Sequence, residues 1–133
     1  MAQVLMNEHR APSGEVALNP LVAHRAVRGA VRHNPDGGDI TRRDGSRVEI
    51  KTYAGPVRHI GNDEQIRKGL RQAGSVGELW IQVNTPEATP RQVQQNIRQF
   101  LQRENPTRTA GYVRVFGPQG QIWYEGRVPV NTA

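Results

Sequence analysis

Asp39-Ile40-Thr41-Arg42-Arg43-Asp44-Gly45-Ser46-Arg47-Val48-Glu49-Ile50-Lys51 is the stretch whose reading decides the fold. Two β-prone runs flank an Asp-Gly turn signal, so it reads as a hairpin. Residues directly opposite in a hairpin share a face. A two-residue Asp44-Gly45 loop sets Ile40 against Glu49 and Asp39 against Ile50, so each apolar residue shares a face with a charge. A three-residue loop, Arg43-Asp44-Gly45 with Gly at the left-handed position, sets Ile40 against Val48 and Asp39 against Glu49. Ile40, Val48 and Ile50 then form one apolar face, and Asp39, Thr41, Arg47, Glu49 and Lys51 the other. The hydrophobic pattern selects this second register.

Upstream, residues 1–18 read as irregular, with Pro12 and Gly14 as breakers. Asn19-Pro20 starts a helix, N-cap then Pro at the first helical position, running to about Arg32. Its apolar face is Ala23, Val27, Ala30 and Val31. His24, Arg25, Arg28 and Arg32 form a basic stripe beside it. Asn34-Pro35-Asp36-Gly37-Gly38 delivers the chain to the hairpin. Downstream, Gly55-Pro56 breaks the second strand. Asn62 or Asp63 caps a helix with Ile66, Leu70 and Ala73 inward, ended by Gly74. Leu79, Ile81 and Val83 alternate on a strand over 78–83. Thr89-Pro90 opens a helix with Val93, Ile97, Phe100 and Leu101 buried, and Asn105-Pro106 stops it. A second hairpin, 112–116 and 121–128, closes the chain. The order is α-β-β-α-β-α-β-β: a mixed α/β (α+β) domain with one central mixed sheet flanked by helices, residues 1–133, core about 19–128.

The 133 residues suit one domain. Cysteine is absent, which removes disulfides, Cys-based zinc sites and Cys nucleophiles. No apolar run approaches the ~20 residues that span a bilayer, and no basic-then-apolar leader opens the chain. Net charge is +6, with Lys51 and Lys68 the only lysines. Arginine's planar fork bonds two phosphate oxygens at once, so a polyanionic partner follows.

The three-residue register brings Asp39 and Glu49 side by side, with Lys51 next along that face. Paired carboxylates repel unless a cation separates them. Mg²⁺ or Mn²⁺ answers that need, with the Ile50 backbone carbonyl as a further oxygen ligand. Lys51 then stands near a metal-bound water, placed to orient it and to stabilise phosphate charge. The plainer reading is a hairpin with one solvated face, whose acids are neutralised by Arg42, Arg47 and Lys51.

Asp39-Ile40, a gap with Asp-Gly, then Val48-Glu49-Ile50-Lys51-Thr52 resembles the signature of the PD-(D/E)xK nuclease superfamily, the restriction-endonuclease-like enzymes. The family's two acids and lysine match Asp39, Glu49 and Lys51. The helices before and after the hairpin and the strand over 78–83 match its core, so the resemblance covers roughly residues 15–84. It implies a Mg²⁺-dependent endonuclease on DNA, with RNA or tRNA as second substrate. It adds Glu15 as a further metal contact, the glutamate many members carry in or before the first helix. Small size, basic charge and absence of Cys resemble the toxin domains of bacterial competition systems. Such a toxin implies delivery within a secreted protein, action in the bacterial cytoplasm, and an acidic immunity protein as partner. The chain departs from the family in lacking room for a strand between Arg32 and Asp39. Asp36 also competes with Asp39 as the first acid.

On this reading, His24, Arg25, Arg28, Arg32, Arg67, Lys68 and Arg71 hold the nucleic-acid backbone without reading sequence. Gln65 and Gln82 are the accessory candidates. A second reading is a metal-independent ribonuclease using His24, His33 or His59 with arginine. A third is a non-catalytic basic module that binds nucleic acid or a protein partner.

Overall fold

The computed structural model describes residues 1–11, 13–34, 39–104 and 110–128. A six-stranded mixed sheet forms the centre. Its strands are β1 (Ala30–His33), β2 (Ile40–Arg42), β3 (Arg47–Tyr53), β4 (Glu78–Val83), β5 (Tyr112–Phe116) and β6 (Ile122–Arg127), and they lie side by side in that order. The first three form an antiparallel meander, β3, β4 and β5 run parallel, and β6 turns back against β5. Among the described residues no helix is long and apolar enough to cross a membrane.

The hairpin has the three-residue loop. Ile40 pairs with Val48 and Thr41 with Arg47, and the Arg42 N–H donates to the Ser46 carbonyl at 2.9 Å. Gly45 takes φ +86°, the left-handed conformation that glycine adopts without steric cost. Asp44 Oδ1 accepts both the Ser46 hydroxyl (2.6 Å) and the Ser46 N–H (2.9 Å). Those two bonds hold the Asp44 carboxyl below the usual range.

Two crossovers join the parallel strands. The first is a 3₁₀ turn (Val57–Asn62) and helix α3 (Glu64–Ala73); the second is α4 (Pro90–Arg103). Both step across the sheet in the same direction, so right-handed connections put both helices on one face. There they bury Leu79, Ile81, Val83, Val113 and Val115 against Ile66, Leu70, Ile97 and Phe100. Asp63 caps α3 by accepting the Ile66 N–H at 3.0 Å, and Gly74 ends it at φ +76°. Thr89 and Gln92 form a capping box at the start of α4.

The opposite face is covered by α1 (Ala2–Glu8) and α2 (Pro20–Val27), packed on Ile40, Val48, Ile50, Trp80 and Phe116. The expectation of an irregular N-terminus is corrected here. A seven-residue helix is marginal alone, but burial of Leu5 contributes about 2 kcal/mol and anchors it. The expectation of a helix to Arg32 is also corrected. Helix α2 stops at Val27, Arg28 is extended, Gly29 takes φ +75°, and Ala30–His33 leave as β1. The helix ends at the extended Arg28, the positive-φ Gly29 then turns the chain, and the ladder to β2 satisfies the backbone afterwards. Val31 is therefore exposed, and His24, Arg25, Arg28 and Arg32 do not share one helix face.

Two polar groups lock the layers. Gln82, fully buried on β4, accepts the Asn19 N–H (3.1 Å) and donates to the carbonyl of Gly117 (2.7 Å) and to Asn84 Oδ1 (3.2 Å). Glu78 is bound by Arg42 from β2, by the Trp80 indole N–H (3.0 Å) and by Arg114 from β5 (3.5 Å). Burial pushes the Glu78 carboxyl upward, but the bonds from Arg42 and Trp80 and the charges of Arg42 and Arg114 outweigh it. The net result is a carboxyl held below its ordinary range.

Gln82→Leu leaves the Asn19 N–H and the Gly117 carbonyl buried without this partner, so urea titration is expected to show a loss of about 2–4 kcal/mol. An unchanged midpoint would refute this role. A depressed carboxyl stabilises the fold above its unfolded pKa, about 4.3, and that stability disappears as pH falls through the folded value. Glu78→Gln is therefore expected to be destabilised at pH 7 and to converge on wild type in acid. A gap that persists undiminished at pH 2–3 contradicts it.

Candidate active site

Pairing between β2 and β3 ends early. Ile40↔Val48 is its last paired position, while β3 continues to Tyr53. The side of β3 from Glu49 onward thus leaves the hairpin ladder where Asp39 enters it. The alternation of the antiparallel ladder points the Ile50 N–H toward this side. Asp39 Oδ2 accepts it at 2.7 Å, and Oδ1 lies 3.2 Å from His9 Nε2 at the end of α1. The Asp39 carboxylate is thereby docked on the backbone of the residue between Glu49 and Lys51. The Ile50 carbonyl, on the same edge as its N–H, faces the same opening.

Strand alternation turns Glu49 and Lys51 away from Ile50, toward the α3 side. Glu49 is 1% exposed. Lys51 is half-buried and runs beneath α3 at Gly69. A Cβ at Gly69 would stand 3.0 Å from Lys51 Cε, 3.1 Å from Lys51 Cγ and 2.9 Å from Leu79 Cδ1. Gly69 is therefore what lets α3 close over the lysine stem. Thr41 and Arg47, cross-strand partners, share this face, as does Arg32, which pairs with Thr41. Asn34 Nδ2 donates to Thr41 Oγ1 at 2.6 Å beside them.

The remaining sequence candidates are dispersed. Glu15 is exposed and lines a cavity of about 410 Å³ with Arg10, Val16, Thr52 and Asn84, on the far side of β3 from Lys51. Arg67, Lys68, Arg71 and Gln65 are exposed on α3, with Arg67 paired to Glu104 at 3.4 Å. Gln82 faces the α1/α2 layer and is occupied by packing bonds, so it does not approach Lys51. Asp36 lies outside the described residues. His24 is on α2 and His59 on the 3₁₀ turn, in the layers on opposite faces of the sheet, while His33 pairs with Glu8 at 2.9 Å. The structure does not bring these histidines together. Among the described residues no group of three or more His, Cys, Asp or Glu is gathered for a metal.

Sequence reasoning missed His9 and Gly69. A glycine inside an amphipathic helix is a visible flag, because it costs about 1 kcal/mol against Ala. A single His thirty positions from its partner gives no such signal. No family model, curated protein or solved structure matches the chain.

Gly69→Ala is expected to forgo the helix-propensity gain of about 1 kcal/mol, because the methyl meets Lys51 and Leu79. Urea denaturation checks this: a variant stabilised by the full amount would show that both side chains yield freely.

Proposed function

We propose that the chain is a divalent-metal-dependent nuclease of the PD-(D/E)xK type, cleaving DNA phosphodiesters. The observation that carries this reading is the docking of Asp39 on the Ile50 amide, at the opening where β2 leaves β3. It sets the first acid against the backbone between Glu49 and Lys51. The antiparallel strands β1-β2-β3, followed by α3 and the parallel β4, support this reading.

The donor set suits the metal. The carboxylates of Asp39 and Glu49 and the Ile50 carbonyl are hard oxygen donors of the kind Mg²⁺ prefers, and would be the residues that hold it. When bound, Mg²⁺ or Mn²⁺ supplies Lewis-acid activation of water and phosphate. Asp39 and Glu49 would hold the ion, and Lys51 would orient water and stabilise charge on the phosphoryl oxygens. Arg32 and Arg47, exposed on the same face, draw the backbone toward the opening. The dispersed histidines give the metal-independent ribonuclease no comparable constellation. The toxin setting, with an acidic immunity protein and delivery into another bacterium's cytoplasm, rests on the resemblance and the net charge of +6.

Incubation with plasmid DNA, total RNA or tRNA, with Mg²⁺ and with EDTA, tests the reading. DNA cleavage that EDTA abolishes is expected. Asp39→Asn, Glu49→Gln and Lys51→Ala are each expected to reduce the rate by at least about 100-fold, as for loss of a main electrostatic or acid–base contributor. Full activity in EDTA overturns the mechanism, and full activity in Glu49→Gln or Lys51→Ala overturns the site.

A further inference from the structure

Helix α4 buries Val93, Ile97, Phe100 and Leu101 and presents its other side to solvent. Arg91, Gln95, Arg98 and Gln102, at spacings of four, three and four, line up along that exposed side. With Gln94 and Gln99 they border a shallow hollow of about 430 Å³. From Ala88 to Arg103 there is no Asp or Glu. Among the described residues no ion pair ties Arg91 or Arg98.

The absence of acid runs against local stability. Gln92 fills the capping-box position, where its Oε1 accepts the Thr89 N–H at 3.1 Å. Glutamate makes the same bond and adds about 0.3–1 kcal/mol with the helix dipole. Gln94 is engaged elsewhere, its Nε2 donating to the Trp123 carbonyl at 2.8 Å. Helix α3, by contrast, carries Asp63 and Glu64 at its start. A face that forgoes an acid at its capping position, and leaves Arg91 and Arg98 without an ion pair among the described residues, is complementary to an anion.

We infer that the Arg91/Gln95/Arg98/Gln102 face of α4 docks the phosphate backbone of duplex DNA. The choice of DNA rests on the nuclease reading. Arg91 and Arg98 are about 10.5 Å apart along the helix axis, about three base-pair rises. The face carries no aromatic residue, so it lacks the stacking platform of a single-strand binder. It has no exposed apolar anchor of the kind that dominates protein–protein interfaces. Helix α4 covers the same sheet face as α3, toward which Lys51 projects.

Fluorescence anisotropy with a labelled 24-bp duplex, in EDTA across a salt series, tests the inference. Arg91→Gln/Arg98→Gln is expected to bind roughly tenfold more weakly at 100 mM salt and to lower the log–log salt slope by about 1.8. Gln95→Glu, which adds a charge and removes none, is expected to weaken binding similarly. Thermal melts confirm that both variants are folded. Wild-type affinity and slope in the folded variants overturn the docking face, leaving an acidic protein as its occupant. Failure of the wild type to bind the duplex overturns it as well. Binding that depends on α4 in a protein that cuts no nucleic acid leaves the docking face intact and removes only the nuclease reading.

Discussion

An antiparallel pair has a side-chain period of two, so the three residues between Arg42 and Ser46 determine which side chains face the α1/α2 layer and which face α3. Gly45 supplies the left-handed turn, and Asp44 clamps Ser46 on the far side of it. From that register follow the burial of Ile40, Val48 and Ile50 under α1 and α2, and the projection of Glu49 and Lys51 to the other side. A slip of one residue would exchange these sets and place a carboxylate and an ammonium in the apolar layer, at a cost of several kcal/mol per uncompensated charge.

Handedness imposes the second constraint. Because β3, β4 and β5 are stepped in one direction, their crossover helices α3 and α4 occupy a single face. The other face must be sealed by chain that precedes the sheet. This is why the N-terminal segment, with only a few apolar residues, becomes helix α1 and packs Ala2 and Leu5 over Ile40, Val48 and Trp80. It also explains Gln82. At the end of β4 it bonds the N-cap of α2 and the loop after β5, so that the sealing layer is tied to both central strands. Packing of α1 in turn delivers His9 to Asp39.

Much of this was legible in the residues. The register, the cap at Thr89, the α3 cap to within one residue (Asn62 or Asp63), the stop at Gly74 and the buried stripes of α3 and α4 each depend on neighbours within a few positions, where period and turn chemistry operate. The errors fall where local and distant preferences compete. Residues 28–33 carry a helical spacing, yet their backbone is better satisfied by β2 once Gly29 has turned the chain. Trp80 and Gln82, on the polar phase of the alternation assumed for β4, are buried because parallel strands covered on both faces have no solvent side.

The sequence alone determined the hairpin loop, the grouping of Glu49 with Lys51, and the excess of arginine, since each follows from chain-local spacing or composition. Only the tertiary structure decided where the Asp39 carboxylate goes. Its partners are the Ile50 amide, reachable because the β2–β3 ladder stops at Ile40, and the His9 ring, carried there by a helix whose existence depends on burying Leu5. The tertiary structure also gave Gly69 its purpose, because the space occupied by the Lys51 stem exists only when α3 lies across β3. Contacts between residues ten to thirty positions apart leave no periodic trace in a chain. They appear only when the sheet brings their backbones together.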